Sequence, residues 1–339
     1  MASTLVALLV AEWAASALAG GAYTFLNLFV ADPRYGVKLR PNASSRVRSR
    51  DGRVTTIATN STGFRGPEWP ETGDSPSGRP RPRRVLVLGD SQVLGFGVEQ
   101  EDSFAGRMDA LAAAVPSWGP HESVMALEEL APVHRPAIVI FVANVANDWM
   151  EADVPNRRRT TAEDGWAVRF VPGRPEPAAF PGREWILGRS HLYLAARRLF
   201  AHTAGHSPAR AELARDLIVG LPRLGAPRGG HRSRLTRHLL RAARVCARLD
   251  CRLIAATLPL DVQVSPHEWA KYGTWPRPTV ATERLASDFL ADARDAGIEG
   301  VDLLPALRRA SPGAFLPDDY HLSPRGHRAV ARALTEVLR

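Results

Sequence analysis

The sequence predicts an α/β protein built on a parallel sheet with helices on both faces, and three features lead there. Two apolar runs, Arg84-Val-Leu-Val-Leu-Gly89 and Pro136-Ala-Ile-Val-Ile-Phe-Val142, are short and continuous, as strands buried on both faces are. A third run follows at Arg252–Leu258. Stretches with helical spacing lie between them, and strands alternating with helices are the signature of a covered parallel sheet. With 339 residues, 45% hydrophobic and 23% charged, the chain is long enough for a large core and is neither disordered nor fibrous in composition.

Taken in order, residues 1–31 read as a transmembrane anchor. Leu5–Val30 is apolar except for Glu12 and a few uncharged polar residues. As one helix it would run ~39 Å, enough for a ~30 Å hydrocarbon layer. A signal peptide cut near Ala17-Leu18-Ala19 is the rival, without the usual positive leader. Arg34, Lys38, Arg40, Arg46, Arg48 and Arg50 follow the segment, and the positive-inside rule read literally would keep the next domain in the cytoplasm.

Residues 32–84 form an amino-terminal extension and linker, with a β-like run at Arg53–Thr59 and a Pro- and Gly-rich linker at Glu71–Pro82. The main domain occupies 85–339. Helices are expected over 103–114, 123–130, 190–201, 233–249, 280–296 and 324–338, and a short strand at Gly300–Leu303. Residues 151–185 read as a lid or surface hairpin. Trp149, Trp166 and Trp185 suit either a substrate cleft or core packing.

The formal charge is +9 and only Lys38 and Lys271 are lysines. No nucleic-acid motif accompanies this charge, so a nucleic-acid partner is not expected. Arg234, Arg237, Arg241, Arg244 and Arg248 fall on one stripe of a helix, which reads as a solvated face. Two cysteines, Cys246 and Cys251, exclude a disulfide framework and a four-cysteine zinc site.

Three short motifs carry chemistry, each where open α/β folds place their sites. Gly89-Asp90-Ser91 directly follows the first buried run, so the Ser91 hydroxyl is exposed at a strand-to-loop junction and its amide can meet an oxyanion. Asn147-Asp148 follows the second run, and an Asn carboxamide can donate to a developing oxyanion. Asp318-Asp319-Tyr320-His321 lies just before the last helix. A serine hydroxyl needs a base, histidine serves near neutral pH, and a carboxylate fixes the imidazole's tautomer. Asp90 reads as a structural hydrogen-bonding residue, Asp148 and Asp319 as solvated or loop-capping, and His327 as a structural histidine.

These residues resemble the SGNH, or GDSL, hydrolase family. Its first block is similar to Gly89-Asp90-Ser91, its third to Val145-Ala146-Asn147-Asp148 and its fifth to Asp318–His321. The resemblance implies a three-layer α/β/α flavodoxin-like domain with Ser91 as nucleophile, His321 as base and Asp318 as orienting acid. It also implies an oxyanion hole of the Ser91 amide, Asn147 and a second-block residue. Val115-Pro116-Ser117-Trp118-Gly119 places Ser117 at the second block's glycine position, with Gly119 the alternative. Val145 replaces the usual first glycine of the third block. The extension Pro41-Asn42 … Asn60-Ser-Thr-Gly-Phe-Arg65 resembles one found in membrane-anchored members that act outside the cytoplasm on acylated glycans or similar esters. An extracytoplasmic placement is therefore expected, against the flanking charges. The expected activity is serine-dependent hydrolysis of an acyl ester on a small molecule or glycan, needing no cofactor and no metal. O-acyl transfer and a catalytically inactive membrane-tethered binding protein are the alternatives.

Overall fold

Strands of continuous apolar sequence need cover on both faces, and here they receive it. In the computed structural model, which describes residues 2–49, 51–69, 84–175, 178–196, 234–273 and 275–339, five strands form one parallel sheet. They are β5 (Val85–Gly89), β6 (Leu111–Ala114), β7 (Ile138–Asn144), β10 (Arg252–Leu258) and β11 (Glu299–Asp302), ordered β6-β5-β7-β10-β11. All five residues of β5 and all seven of β7 are buried. Renumbered within the sheet, the order is 2-1-3-4-5, the flavodoxin-like arrangement, with its switch point between β5 and β7.

The helices sort into two packed sets. Of α1 (Ala2–Leu18), α2 (Ser91–Leu94), α3 (Phe104–Arg107), α4 (Pro120–His134), α5 (Asp148–Glu151), α6 (Arg183–Leu187), α7 (Arg234–Leu249), α8 (Asp261–Val264), α9 (Val280–Asp295), α10 (Leu304–Ala310) and α11 (Pro324–Leu338), one set is α4, α7 and α9 and the other α3, α10 and α11. The arginine stripe of α7 faces outward, with Arg234, Arg237, Arg244 and Arg248 exposed and Arg241 paired with Glu128, while Leu235, Leu239, Ala242 and Val245 enter the core. The helix expected over 103–114 is instead a single turn, α3, followed by strand β6, because Asp109 takes a left-handed φ of 50° between them. Cys246 and Cys251 are free thiols. Trp149 and Trp166 are core residues, each making an edge-on aromatic contact, with Phe289 and Tyr23 respectively.

Three antiparallel hairpins flank the sheet: β1 (Phe29–Asp32) with β2 (Gly36–Leu39), β3 (Ser44–Arg48) with β4 (Val54–Ala58), and β8 (Thr160–Glu163) with β9 (Trp166–Arg169). The extension is part of the main core, since Phe29, Tyr35, Val37, Leu39, Val47 and Ile57 join the same apolar cluster as the sheet. Its Asn60–Arg65 segment is a folded turn. The Asn60 carboxamide oxygen accepts from Thr62 and Phe64, and buried Arg65 donates to the carbonyls of Thr56, Leu94, Gly95 and Val98. The linker expected over 71–82 lies outside the described residues, as does 197–201 of the helix expected over 190–201.

The amino-terminal segment corrects one expectation. The helix ends at Leu18, Gly20 and Gly21 take φ of 58° and 66°, and Ala22, Leu26, Leu28 and Phe29 turn back into the core. Among the described residues no helix is long and apolar enough to cross a membrane. Glu12 accepts from the Ser190 hydroxyl and from the His191 and Leu192 amides, which ties α1 to the domain. Those hydrogen bonds lower its pKa despite opposition from its burial, the largest contribution.

Candidate active site

Gly89 ends β5, where a Cβ would lie 2.4 Å from Val93 Cγ2. Only glycine lets α2 fold back so tightly against the strand. Asp90 then caps α2, its Oδ1 accepting from the Gln92 amide at 2.9 Å. Its Oδ2 accepts from Asn144 Nδ2 at 2.8 Å, which joins the ends of β5 and β7. Ser91 is thereby held at the first position of α2, half-buried beside the switch point.

Residues 230 positions apart now meet. His321 Nε2 lies 2.9 Å from Ser91 Oγ, and its Nδ1 lies 2.8 Å from Asp319 Oδ1. An acceptor-only carboxylate at Nδ1 requires that nitrogen to carry the proton, leaving Nε2 to accept from the serine hydroxyl. The arrangement can take a proton from Ser91 and stabilise the imidazolium that results.

The carboxylate at Nδ1 is Asp319, where Asp318 was expected. A turn over 317–321 explains the difference, because Asp319 Oδ1 also accepts the His321 backbone N–H at 3.3 Å. The side chain and main chain of His321 thus converge on the acid two residues before it. Asp318 is half-exposed in the same turn.

Polar contacts that the motifs do not reveal hold this loop. The Gln92 carboxamide donates to the Tyr320 carbonyl at 2.9 Å and accepts from the Leu322 amide at 3.1 Å, gripping the chain on both sides of His321. Lys271 Nζ donates to the Asp319 carbonyl at 2.9 Å and is itself held by Asp261 and Glu268. Burial pushes the Asp261 carboxyl up to about 6, against the opposing pull of Lys271. Ser323 caps α11 through the Arg325 and Gly326 amides. The His321 ring packs between Tyr320 and Phe96, with centroids 4.5 and 5.0 Å away.

The expected oxyanion residues sit at neighbouring strand ends. Asn147 is the N-cap of α5, and its Nδ2 donates to Glu151 Oε2 at 2.9 Å. Ser117 occupies a turn closed by Trp118 N–H to Val115 C=O at 3.1 Å, and its φ is 76°. That conformation is the one glycine ordinarily supplies after proline in such a turn, so Ser117 stands in a glycine-like backbone position. The Gly119 amide is committed to Glu122 Oε2 at 3.1 Å, which removes it as a donor to substrate. Asp148 is buried, not solvated, and accepts the Asn144 amide at 2.7 Å; burial, then Asp90 and Glu151, raise its pKa well above the ordinary range. His327 is fully buried with Nδ1 accepting from the Phe104 amide at 3.1 Å, and among the described residues no cluster could hold a metal ion.

Residues 226–339 match the family model described as the SGNH hydrolase-like domain, acetyltransferase AlgX. That segment contains Asp318, Asp319 and His321 but not Ser91, Ser117 or Asn147. Two curated relatives are similar over the same share of the chain. The probable alginate O-acetylase AlgJ of Pseudomonas aeruginosa is 35% identical over 94 residues, 27% of this chain and 23% of that protein. Its namesake in Azotobacter vinelandii is 32% identical over 95 residues, 27% and 24% of the two chains. The match therefore spans about a quarter of those relatives' length. A GDSL-like lipase structure from Bacteroides thetaiotaomicron superposes with a TM-score of 0.40 and 9% identity over 76% of this chain and 87% of that one. The carboxyl-terminal third of this chain, which carries His321, is thus similar to an SGNH hydrolase-like domain, and the two relatives that it matches are named as acetylases.

Proposed function

We propose that the protein transfers an acyl group, in the first instance acetyl, from an ester donor to a hydroxyl of a glycan through a covalent serine intermediate. Ser91 Oγ attacks the donor carbonyl while His321 Nε2 takes its proton, and Asp319 stabilises the imidazolium. The free Nδ2 hydrogen of Asn147 and the backbone amides of Ser91 and Ser117 stabilise the oxyanion. The intermediate collapses as His321 protonates the departing alcohol. His321 then takes the proton of the acceptor hydroxyl, which attacks the acyl-serine carbonyl, and His321 returns that proton to Ser91 Oγ as the acyl–serine bond breaks.

The observation that carries this reading is the Asp319–His321–Ser91 hydrogen-bond chain. Transfer is favoured over hydrolysis by the acetyltransferase description of the matched family and by the acetylase names of the relatives. Hydrolysis uses the same residues, with water as acceptor, and half-exposed Ser91 leaves room for it.

Purified protein supplied with an aryl acetate, with and without uronate oligosaccharides, tests both readings. Acetylated oligosaccharide by mass spectrometry, absent with Ser91→Ala, supports transfer; unchanged oligosaccharide with rapid acetate release supports hydrolysis. Failure of a fluorophosphonate probe to label the folded protein would instead make it a binding protein with an enzyme's fold. We place the domain outside the cytoplasm with α1 lying against a membrane, on the strength of its exposed Leu5, Leu8, Leu9 and Trp13. Removal of residues 2–18 is then expected to shift the protein from the membrane pellet to the soluble fraction, and protease added to intact cells to digest the domain.

A further inference from the structure

We propose that Glu151 and Arg159 are a positioning pair that locks the two oxyanion-binding elements, Asn147 and the Ser117 turn, into one unit. The inference rests on the serine mechanism above and assigns it two residues that no motif contains.

Glu151 Oε2 accepts from Asn147 Nδ2 at 2.9 Å, and Glu151 Oε1 meets Arg159 Nη1 at 2.5 Å. Arg159 Nη2 donates to the Ser117 carbonyl at 3.0 Å, and its Nε to the Val154 carbonyl at 3.0 Å. One ion pair thus spans from the end of β7 to the turn after β6. Both side chains are largely shielded, at 16% exposure for Glu151 and 22% for Arg159.

The chemistry of each contact is specific. A carboxamide can turn either its oxygen or its nitrogen toward a substrate, and only the nitrogen can stabilise an oxyanion. An acid oxygen held by Arg159 accepts one Asn147 N–H and so fixes the nitrogen end, leaving the second N–H for the reaction. At Ser117 the guanidinium anchors the carbonyl of a residue whose φ of 76° disfavours any side chain. Gly119 makes room, because a Cβ there would lie 3.0 Å from Glu151 Cβ and 3.2 Å from its Oε2.

Burial raises the Glu151 carboxyl above the ordinary range, the Arg159 charge opposes that rise, and Asp90 and Glu122 add to it. Three neighbouring acids and one arginine thus bear on it, since Asp148 is buried on the same short helix.

A double-mutant cycle on the full chain, with an aryl acetate as donor, tests the pair. Glu151→Gln is expected to lower kcat ten- to a hundredfold with KM changed less than threefold. In the Asn147→Ala background the same substitution is expected to cost less than threefold more, because its effect runs through Asn147. Fully additive losses, or wild-type kcat in Glu151→Gln, overturn the proposal. Arg159→Gln taken through the same cycle decides the matter if Glu151→Gln does not fold. Activity that survives Ser91→Ala would defeat the serine mechanism itself, whereas a dead Ser91→Ala with an additive cycle defeats only the positioning pair.

Discussion

Replacing each of two adjacent carboxylates separates the geometry at His321 from the spacing in the sequence. Asp319→Asn removes the charge 2.8 Å from His321 Nδ1 while keeping the side chain's shape. With charge centres ~4 Å apart and an effective dielectric of ~20, an imidazolium and a carboxylate attract by about 4 kcal/mol. Exposure is low on both sides, 9% for the His321 side chain and 17% for that of Asp319, so screening by solvent is limited. At 1.36 kcal/mol per tenfold, kcat should fall about a thousandfold. The asparagine can also turn its NH₂ toward Nδ1, which favours the wrong tautomer and adds to the loss. Asp318→Asn should stay within about threefold of wild type. Initial rates on an aryl acetate at near-neutral pH, with circular dichroism to verify folding, provide the comparison. A thousandfold loss in Asp318→Asn beside a near-normal Asp319→Asn would refute the assignment.

Other substitutions test the scaffold around the same groups. Gln92→Leu removes both hydrogen bonds that grip the chain on either side of His321, each worth about 1 kcal/mol; a lower Tm and a kcat reduced about ten- to a hundredfold are expected, and an unchanged kcat would remove the clamp from the mechanism. Ser117→Gly relieves a left-handed backbone at some cost in unfolded-chain entropy, so stability should rise by about 0.5–1 kcal/mol with esterase activity retained, as urea unfolding would reveal. Burial lowers the His327 pKa to about 3, with the Arg65 charge adding to the effect. Its stabilising contribution is therefore complete above the ordinary value of 6.5 and is lost as pH falls toward 3, because the unfolded chain binds the proton first. His327→Asn should accordingly show a shallower decline of Tm between about pH 7 and about pH 4 than wild type, and parallel curves would contradict this.

The sheet was readable because its strands announce themselves by composition. Val85–Leu88 and Ile138–Val142 are apolar without interruption, and Leu253–Leu258 is broken only by the buried Thr257. The second strand, Leu111-Ala-Ala-Ala114, consists mainly of alanines with no β preference, and its composition alone predicts a helix. Only pairing with β5, Leu86 to Leu111 through Gly89 to Ala114, makes it a strand. Hydropathy equally could not show that the amino-terminal run breaks at Gly20-Gly21. Gly20, Gly21 and Ala22 are compatible with a helix until tertiary contacts, such as Arg48 and Arg46 donating to the Ala19 and Gly20 carbonyls, stabilise the turn.

Ser91 and His321, the proposed nucleophile and base, were legible for a different reason than the groups that orient them. Ser91 follows a strand and His321 precedes a helix, so regular elements flank both and carry them to one end of the sheet. Asp318 and Asp319 are the same residue type in the same turn, and residue type alone cannot tell which carboxylate points back at Nδ1. That depends on the turn bringing the His321 amide and ring to one oxygen. Gln92, Glu151, Arg159 and Lys271 act through single contacts between distant segments, such as the Gln92 grip on residues 228 and 230 positions away. Such contacts have no period and no characteristic spacing. A fold that joins distant segments at Ser91 and His321 must stabilise that junction with side chains outside the motifs, and in this chain it does so on both flanks of His321 and on both sides of the proposed oxyanion site.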